Sequence, residues 1–187
     1  MDALFYSFTG VAIAEIGDKT QLLSLFLAAR FRSRLAIVAG ILVATLLNHA
    51  ASAWFGAWAT QFIPQGWHAW LLGGSFIVVA LWLLIPDKDD SEENAILKYG
   101  AFTASCVLFF IAEIGDKTQI ATVLLAANYP MQTWLVIVGT TLGMLAANVP
   151  VVYAGRYLMQ RLPLDWARRA ACAVFFLLGV ITIAAGI

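Results

Sequence analysis

Charge is what this chain has least of. Acidic and basic residues make up 12% of its 187 residues, against about 25% in a soluble domain, and 62% are hydrophobic. That balance excludes a water-exposed globule. It fits one compact integral membrane domain with little outside the bilayer. Cysteine is scarce too. Cys106 and Cys172 stand singly in apolar runs, where a small buried hydrophobe is the ordinary role. No CxxC or Cys/His spacing suggests zinc. There is no basic tail and no patch of basic and aromatic residues, so no nucleic-acid partner is expected. The opening MDALFYSFTG lacks a basic n-region and a convincing cleavage site, so the first apolar segment is expected to stay as a helix. Polar linkers are almost missing; the one strongly polar stretch is Asp87–Asn94.

What is present is apolar length. A spanning helix needs about 20 mostly apolar residues. Six stretches meet that need: Leu4–Ala29, Leu35–Thr60, Trp67–Ile85, Gly100–Asn128, Thr133–Tyr153 and Ala167–Gly186. The expected class is therefore an all-α integral membrane protein with six transmembrane helices. The tryptophans between Trp54 and Trp70 suit an interfacial belt. His68, in a short loop among them, is expected to be interfacial rather than catalytic.

The octapeptide AEIGDKTQ occurs twice without change, at Ala14–Gln21 and Ala112–Gln119. The likeness extends beyond it. Glu15 and Glu113 are offset by 98 residues; after one extra residue the offset becomes 99, pairing Gly40 with Gly139, Gly56 with Gly155, Pro64 with Pro163 and Trp67 with Trp166. Duplication explains this. Three spans per half is an odd number, so the second half enters the membrane the other way up. Residues 1–86 form the first three-helix repeat, 87–99 an acidic cytoplasmic linker, and 100–187 the second, inverted repeat. Such repeats recur in secondary transporters, with sites near the midplane.

Basic residues give an independent reading. With the N-terminus outside, the cytoplasmic loops hold Arg30, Arg32, Arg34, Lys88, Lys98, Arg156, Arg161, Arg168 and Arg169, and the external loops hold none. That split follows the positive-inside rule and predicts an N-out, C-out topology. Lys19 and Lys117 lie inside the motif.

Charged groups in the middle of a span cost about 3 kcal/mol each on insertion scales and mark function. Glu15 and Asp18 would lie about 60° apart around a continuous helix, sharing a face extended by Gln21. Glu113, Asp116 and Gln119 repeat the pattern. Two antiparallel helices could then bring the four carboxylates to one depth. Lys19 and Lys117 are placed for i,i+4 pairs with Glu15 and Glu113. Four acids and two lysines sum to −2, a charge neutralised by one divalent cation or by two protons. Clustered carboxylates share protons readily, because two like charges at short range are costly to ionise together. Mutual exclusion of metal and protons is the chemistry of an antiporter. The oxygen donors suit Ca²⁺, Mg²⁺ or Mn²⁺ better than Cu⁺ or Zn²⁺.

Gly17 and Gly115 either break the helix toward the ion or allow close packing. Thr20 and Thr118 are candidates to cap such a break or to face the ion. Asn48, His49 and Asn148 are candidates for hydrogen bonds to the motif helices or for the ion path. Small residues Ala36, Gly40 and Ala44, and Gly139, Gly143 and Ala147, form ridges that let helices approach closely.

Two copies of E-x-G-D-K-[TS], one per half, resemble the signature of the Gdt-type membrane proteins, regarded as Ca²⁺/Mn²⁺:H⁺ exchangers. The likeness covers essentially the whole chain. Both copies match at Glu15, Gly17, Asp18, Lys19, Thr20 and at Glu113, Gly115, Asp116, Lys117, Thr118. The resemblance implies that Glu15, Asp18, Glu113 and Asp116 bind the transported metal. It also implies that small bacterial members export Mn²⁺, whereas eukaryotic members load Golgi or chloroplast compartments. The short N-terminus favours a bacterial plasma-membrane protein. Expected partners are the lipid bilayer, a divalent cation and protons, with no permanently bound cofactor. A Ca²⁺/H⁺ antiporter and a divalent cation channel are the alternatives. An intramembrane aspartyl protease is a third, but it would leave the duplicated glutamates and lysines without a role.

Overall fold

The computed structural model describes residues 2–84, 96–154 and 164–186. The acidic linker Asp87–Asn94, and Gly155, Arg156, Arg161 and Pro163, lie outside the described residues. The described residues form eight α-helices and no strand. In order these are α1 (Asp2–Ala14), α2 (Lys19–Arg30), α3 (Arg34–Ala59), α4 (His68–Leu83), α5 (Ala101–Glu113), α6 (Lys117–Asn128), α7 (Thr133–Ala154) and α8 (Leu164–Ala185).

These helices fall on the six apolar stretches, but the two motif-bearing stretches hold two helices each. A continuous helix through Glu15 and Asp18, or through Glu113 and Asp116, is thus not what forms. Gly17 has φ +85° and Gly115 has φ +75°, a left-handed conformation that costs other L-residues roughly 1–2 kcal/mol. Asp18 and Asp116 follow in extended conformation as the N-cap residues of α2 and α6. The break is fastened the same way twice. Gly17 N–H donates to Gln21 Oε1 at 2.8 Å, and Gly115 N–H donates to Gln119 Oε1 at 2.7 Å. This is the backward reach of a capping box, made to the residue before the cap. The glutamines therefore hold the break rather than extend a polar helix edge.

α1 and α2 have 13 and 12 residues, about 18–20 Å each at 1.5 Å per residue. Neither alone crosses an apolar layer about 30 Å thick. The uninterrupted stretches Arg34–Phe62 and Pro130–Ala154 are long and apolar enough to do so alone.

α3 packs on α5 and α6, α7 packs on α1 and α2, and α4 packs on α8. The first two contacts are made by matched residues. A Cβ added at Gly40 would lie 2.6 Å from the Phe102 carbonyl and 2.7 Å from Ser105 Cβ. One added at Gly139 would lie 2.7 Å from the Leu4 carbonyl and 2.8 Å from Ser7 Cβ. Leu4 and Phe102, and Ser7 and Ser105, are each 98 apart, so the duplicated sequence makes one contact twice. The small-residue ridges serve here as expected.

Two apolar clusters complete the core. One gathers Phe76 and Phe175, with ring centroids 6.2 Å apart, beside α6 and α7; the other lies among α2, α3 and α5. Large apolar side chains also cover the outside, Leu42, Leu46 and Leu47 of α3 among them. The aromatic group at one end of α3 includes Trp54, Trp58 and Phe62 and reaches Trp134 at the start of α7, with ring centroids 5.6 Å from Trp54. His68 contacts the Ile63 carbonyl at 2.6 Å through Nε2, a local structural bond.

Candidate metal centre

Because both motif helices break at their acids, the carboxylates sit on helix ends rather than on helix faces. Glu15 follows the last residue of α1 and its N–H still bonds the Val11 carbonyl. Glu113 ends α5, and Asp116 caps α6. The ends meet. One carboxylate oxygen each from Glu15, Glu113 and Asp116 lies within 4.8 Å of the others. Glu15 and Glu113 are completely buried and Asp116 is 5% exposed. Asp18 is half-buried and stands outside this trio, although its charge acts on Glu113 and Lys19. Thus three of the four expected acids converge, and they come from both copies of the motif.

The hydroxyls beside the lysines complete the acids' surroundings. Thr20 Oγ1 donates to Glu15 Oε2 at 2.6 Å. Thr118 Oγ1 lies 3.1 Å from Glu113 Oε2 and 3.3 Å from Asp116 Oδ2, and with one proton it serves one at a time. The other oxygens, Glu15 Oε1 and Glu113 Oε1, are buried with no hydrogen-bond partner among the described residues. A buried carboxylate oxygen left so is costly unless a positive charge or a proton reaches it.

Lys19 does not pair as the helical spacing suggested. Lys19 Nζ lies 3.1 Å from Asp116 Oδ1, in the other copy. The i,i+4 geometry with Glu15 requires an unbroken turn, and the left-handed Gly17 removes it. The ion pair instead ties the start of α2 to the start of α6. Lys117 is buried, at 5% exposure. Glu15, Glu113, Asp116 and Lys19 together carry −2 when all are ionised. Hard oxygens at this spacing and charge suit a divalent cation such as Mn²⁺ or Ca²⁺.

α3 and α7 brace the two breaks. Asn48 Nδ2 donates to the Phe110 carbonyl at 3.1 Å, one turn before Glu113. On the opposite side Gln21 Nε2 donates to the Ala147 carbonyl at 2.9 Å, and Ser24 Oγ donates to Asn148 Oδ1 at 2.9 Å. Asn148 Nδ2 bonds back to the Met144 carbonyl at 3.1 Å. Both asparagines thus serve the motif helices. His49 is fully buried, and neither ring nitrogen has a hydrogen-bond partner among the described residues. Ser24 was not singled out from sequence. Its signal was its place on the buried stripe of α2 with Thr20 and Gln21, matched 98 residues on by Thr122.

A family model described as "Divalent cation/proton antiporter GDT1" matches the chain twice, over residues 3–91 and 101–187. A Vibrio cholerae serotype O1 protein named "Putative manganese exporter" is 50% identical over 182 residues, covering 97% of this chain and 90% of the relative. A GDT1-like protein of Synechocystis is 28% identical over 193 residues, covering 92% of each. "GDT1-like protein 5" of Oryza sativa subsp. japonica is 25% identical over 213 residues, covering 93% of this chain and 90% of the relative. No solved structure matches the chain at a significant level. The family is one of transporters rather than enzymes, which removes the protease alternative. With both halves matched and the doubled motif intact, the chain belongs to the GDT1 family of divalent cation/proton antiporters.

Proposed function

We propose that this protein exports divalent cations, foremost Mn²⁺, from the cytoplasm in exchange for protons. The observation that carries this reading is the convergence of three buried carboxylates from both motif copies within 4.8 Å. Glu15, Glu113 and Asp116 are the cation ligands. Asp18 adds negative charge from their edge. Thr20 and Thr118 orient the glutamates, and Gln21, Gln119, Asn48 and Asn148 hold the broken helices in register. His49 and Lys117 are buried as well.

Exchange follows from occupancy. A divalent ion satisfies the glutamate oxygens as cation ligands, and protons satisfy the same oxygens as covalent partners. Both cannot hold one oxygen, so loading with either expels the other. Residues 1–86 and 100–187 form inverted three-helix repeats joined by a cytoplasmic linker at 87–99, with both termini outside a bacterial plasma membrane. The matched contacts of Gly40 and Gly139 support two equivalent units, and rocking of one against the other would present the site to alternate sides. The preference for Mn²⁺ over Ca²⁺ is supported by the name of the Vibrio relative; the all-oxygen ligand set supports a hard divalent cation of either kind.

Proteoliposomes test the proposal. An imposed pH gradient should drive Mn²⁺ uptake with opposite proton flow, and Asp116→Asn should abolish it. Mn²⁺ flux without proton counterflow would instead indicate a channel. Ca²⁺ carried in preference to Mn²⁺ would reassign the cargo.

A further inference from the structure

Asp116 is the acid on which the two copies of the motif collide. Its Oδ1 holds the Lys19 ammonium at 3.1 Å, and its Oδ2 is 3.3 Å from the Thr118 hydroxyl. It is also the third member of the trio whose other two members offer buried oxygens with no hydrogen-bond partner among the described residues. A divalent ion that takes Asp116 with Glu15 and Glu113 arrives beside an ammonium already bonded to the same carboxylate. Like charges at that range repel strongly where water is scarce. The lysine has somewhere to go. Its side chain is 28% exposed, whereas that of Asp116 is 4% exposed. A four-carbon stem with a mobile ammonium can turn outward, while the carboxylate stays fixed at the cap of α6.

From this geometry we infer that Lys19 is a tethered competitor of the transported cation. The ammonium holds Asp116 until the metal displaces it, and its return helps the metal leave. The inference rests on the trio being the cation site. Lys19 acts by moving. It is a positioning residue, and it sets affinity downward in favour of release. Transport needs this balance, since a site that binds too tightly cannot discharge. Lys117 carries the same letters in the second copy but is buried, so the displaceable role falls on the first copy.

Two measurements test this. Mn²⁺ binding is measured by titration calorimetry on purified wild-type and Lys19→Gln protein in detergent. Lys19→Gln should bind about tenfold more tightly, the ratio set by about 1.4 kcal/mol. In liposomes its KM should fall and its maximal rate should fall too. In the wild-type protein, Mn²⁺ should raise the rate at which an amine-reactive reagent labels Lys19, read by mass spectrometry. This second measurement needs no variant to fold. Equal or weaker binding by Lys19→Gln, or labelling unchanged by Mn²⁺, overturns the inference while leaving the cation site standing. Failure of the wild-type protein to bind Mn²⁺ overturns the site and the inference together.

Discussion

Glu15, Glu113 and Asp116 are alike in chemistry and unlike in company. Glu15 has Thr20, Glu113 has Thr118, and Asp116 has both Thr118 and Lys19. Asp18 is the acid least enclosed. Asp116→Asn is accordingly expected to lose about tenfold or more in Mn²⁺ affinity relative to Asp18→Asn, a gap of about 1.4 kcal/mol. Calorimetry on the two purified variants decides it, and equal losses would return Asp18 to the ligand set. The glycines make a second prediction. Gly17→Ala and Gly115→Ala place a Cβ on a left-handed residue, so each should lose about 1–2 kcal/mol of stability and much of its transport. The loss should appear at Gly115 even though a Cβ there meets nothing within 4 Å. Thermal unfolding in detergent separates this conformational cost from a steric one.

Among the elements, the long helices α3 and α7 act as backing for the broken ones. Gly40→Leu and Gly139→Leu would drive a side chain into the backbone of α5 and α1. Overpacking of this kind costs about 1–3 kcal/mol, and the two variants should suffer alike because the contacts correspond. Gly74→Ala, with nothing within 4 Å of its Cβ, should unfold near the wild-type temperature. Apolar length located these helices from sequence to within a few residues, because burial in lipid demands it. The breaks were less legible. Arithmetic at 100° per residue assumes an unbroken helix, and a glycine between Glu and Asp suits close packing as well as a left-handed turn. The same assumption sent Lys19 to Glu15, four residues back, when the break turns it toward Asp116 across the repeat. The roles of Gln21 and Gln119 followed the same logic: their partner is a backbone N–H that a continuous helix would have satisfied.

For the molecule as a whole, topology is the property most open to test. In a background with Cys106 and Cys172 replaced by Ala, Met131→Cys should react with an impermeant maleimide in intact cells. Met131 is 95% exposed, at the turn between α6 and α7. Ser33→Cys, between α2 and α3, should react only after the membrane is opened. The reverse pattern would invert the proposed orientation. Sequence made two halves of one site the expectation but left one shared site or two open; in the structure Glu15, Glu113 and Asp116 converge from both copies. Sequence could not foretell that identical octapeptides would be used unequally, with Lys19 at the edge and Lys117 buried. That inequality has an energetic consequence. Exchanging the two environments calls for no new residue types, only for each copy to adopt the surroundings the other now has. The gap between the two arrangements is set by the residues the halves do not share, such as His49 where the other half has Asn148. The smaller such a gap, the smaller the difference in cargo affinity needed to tip the population.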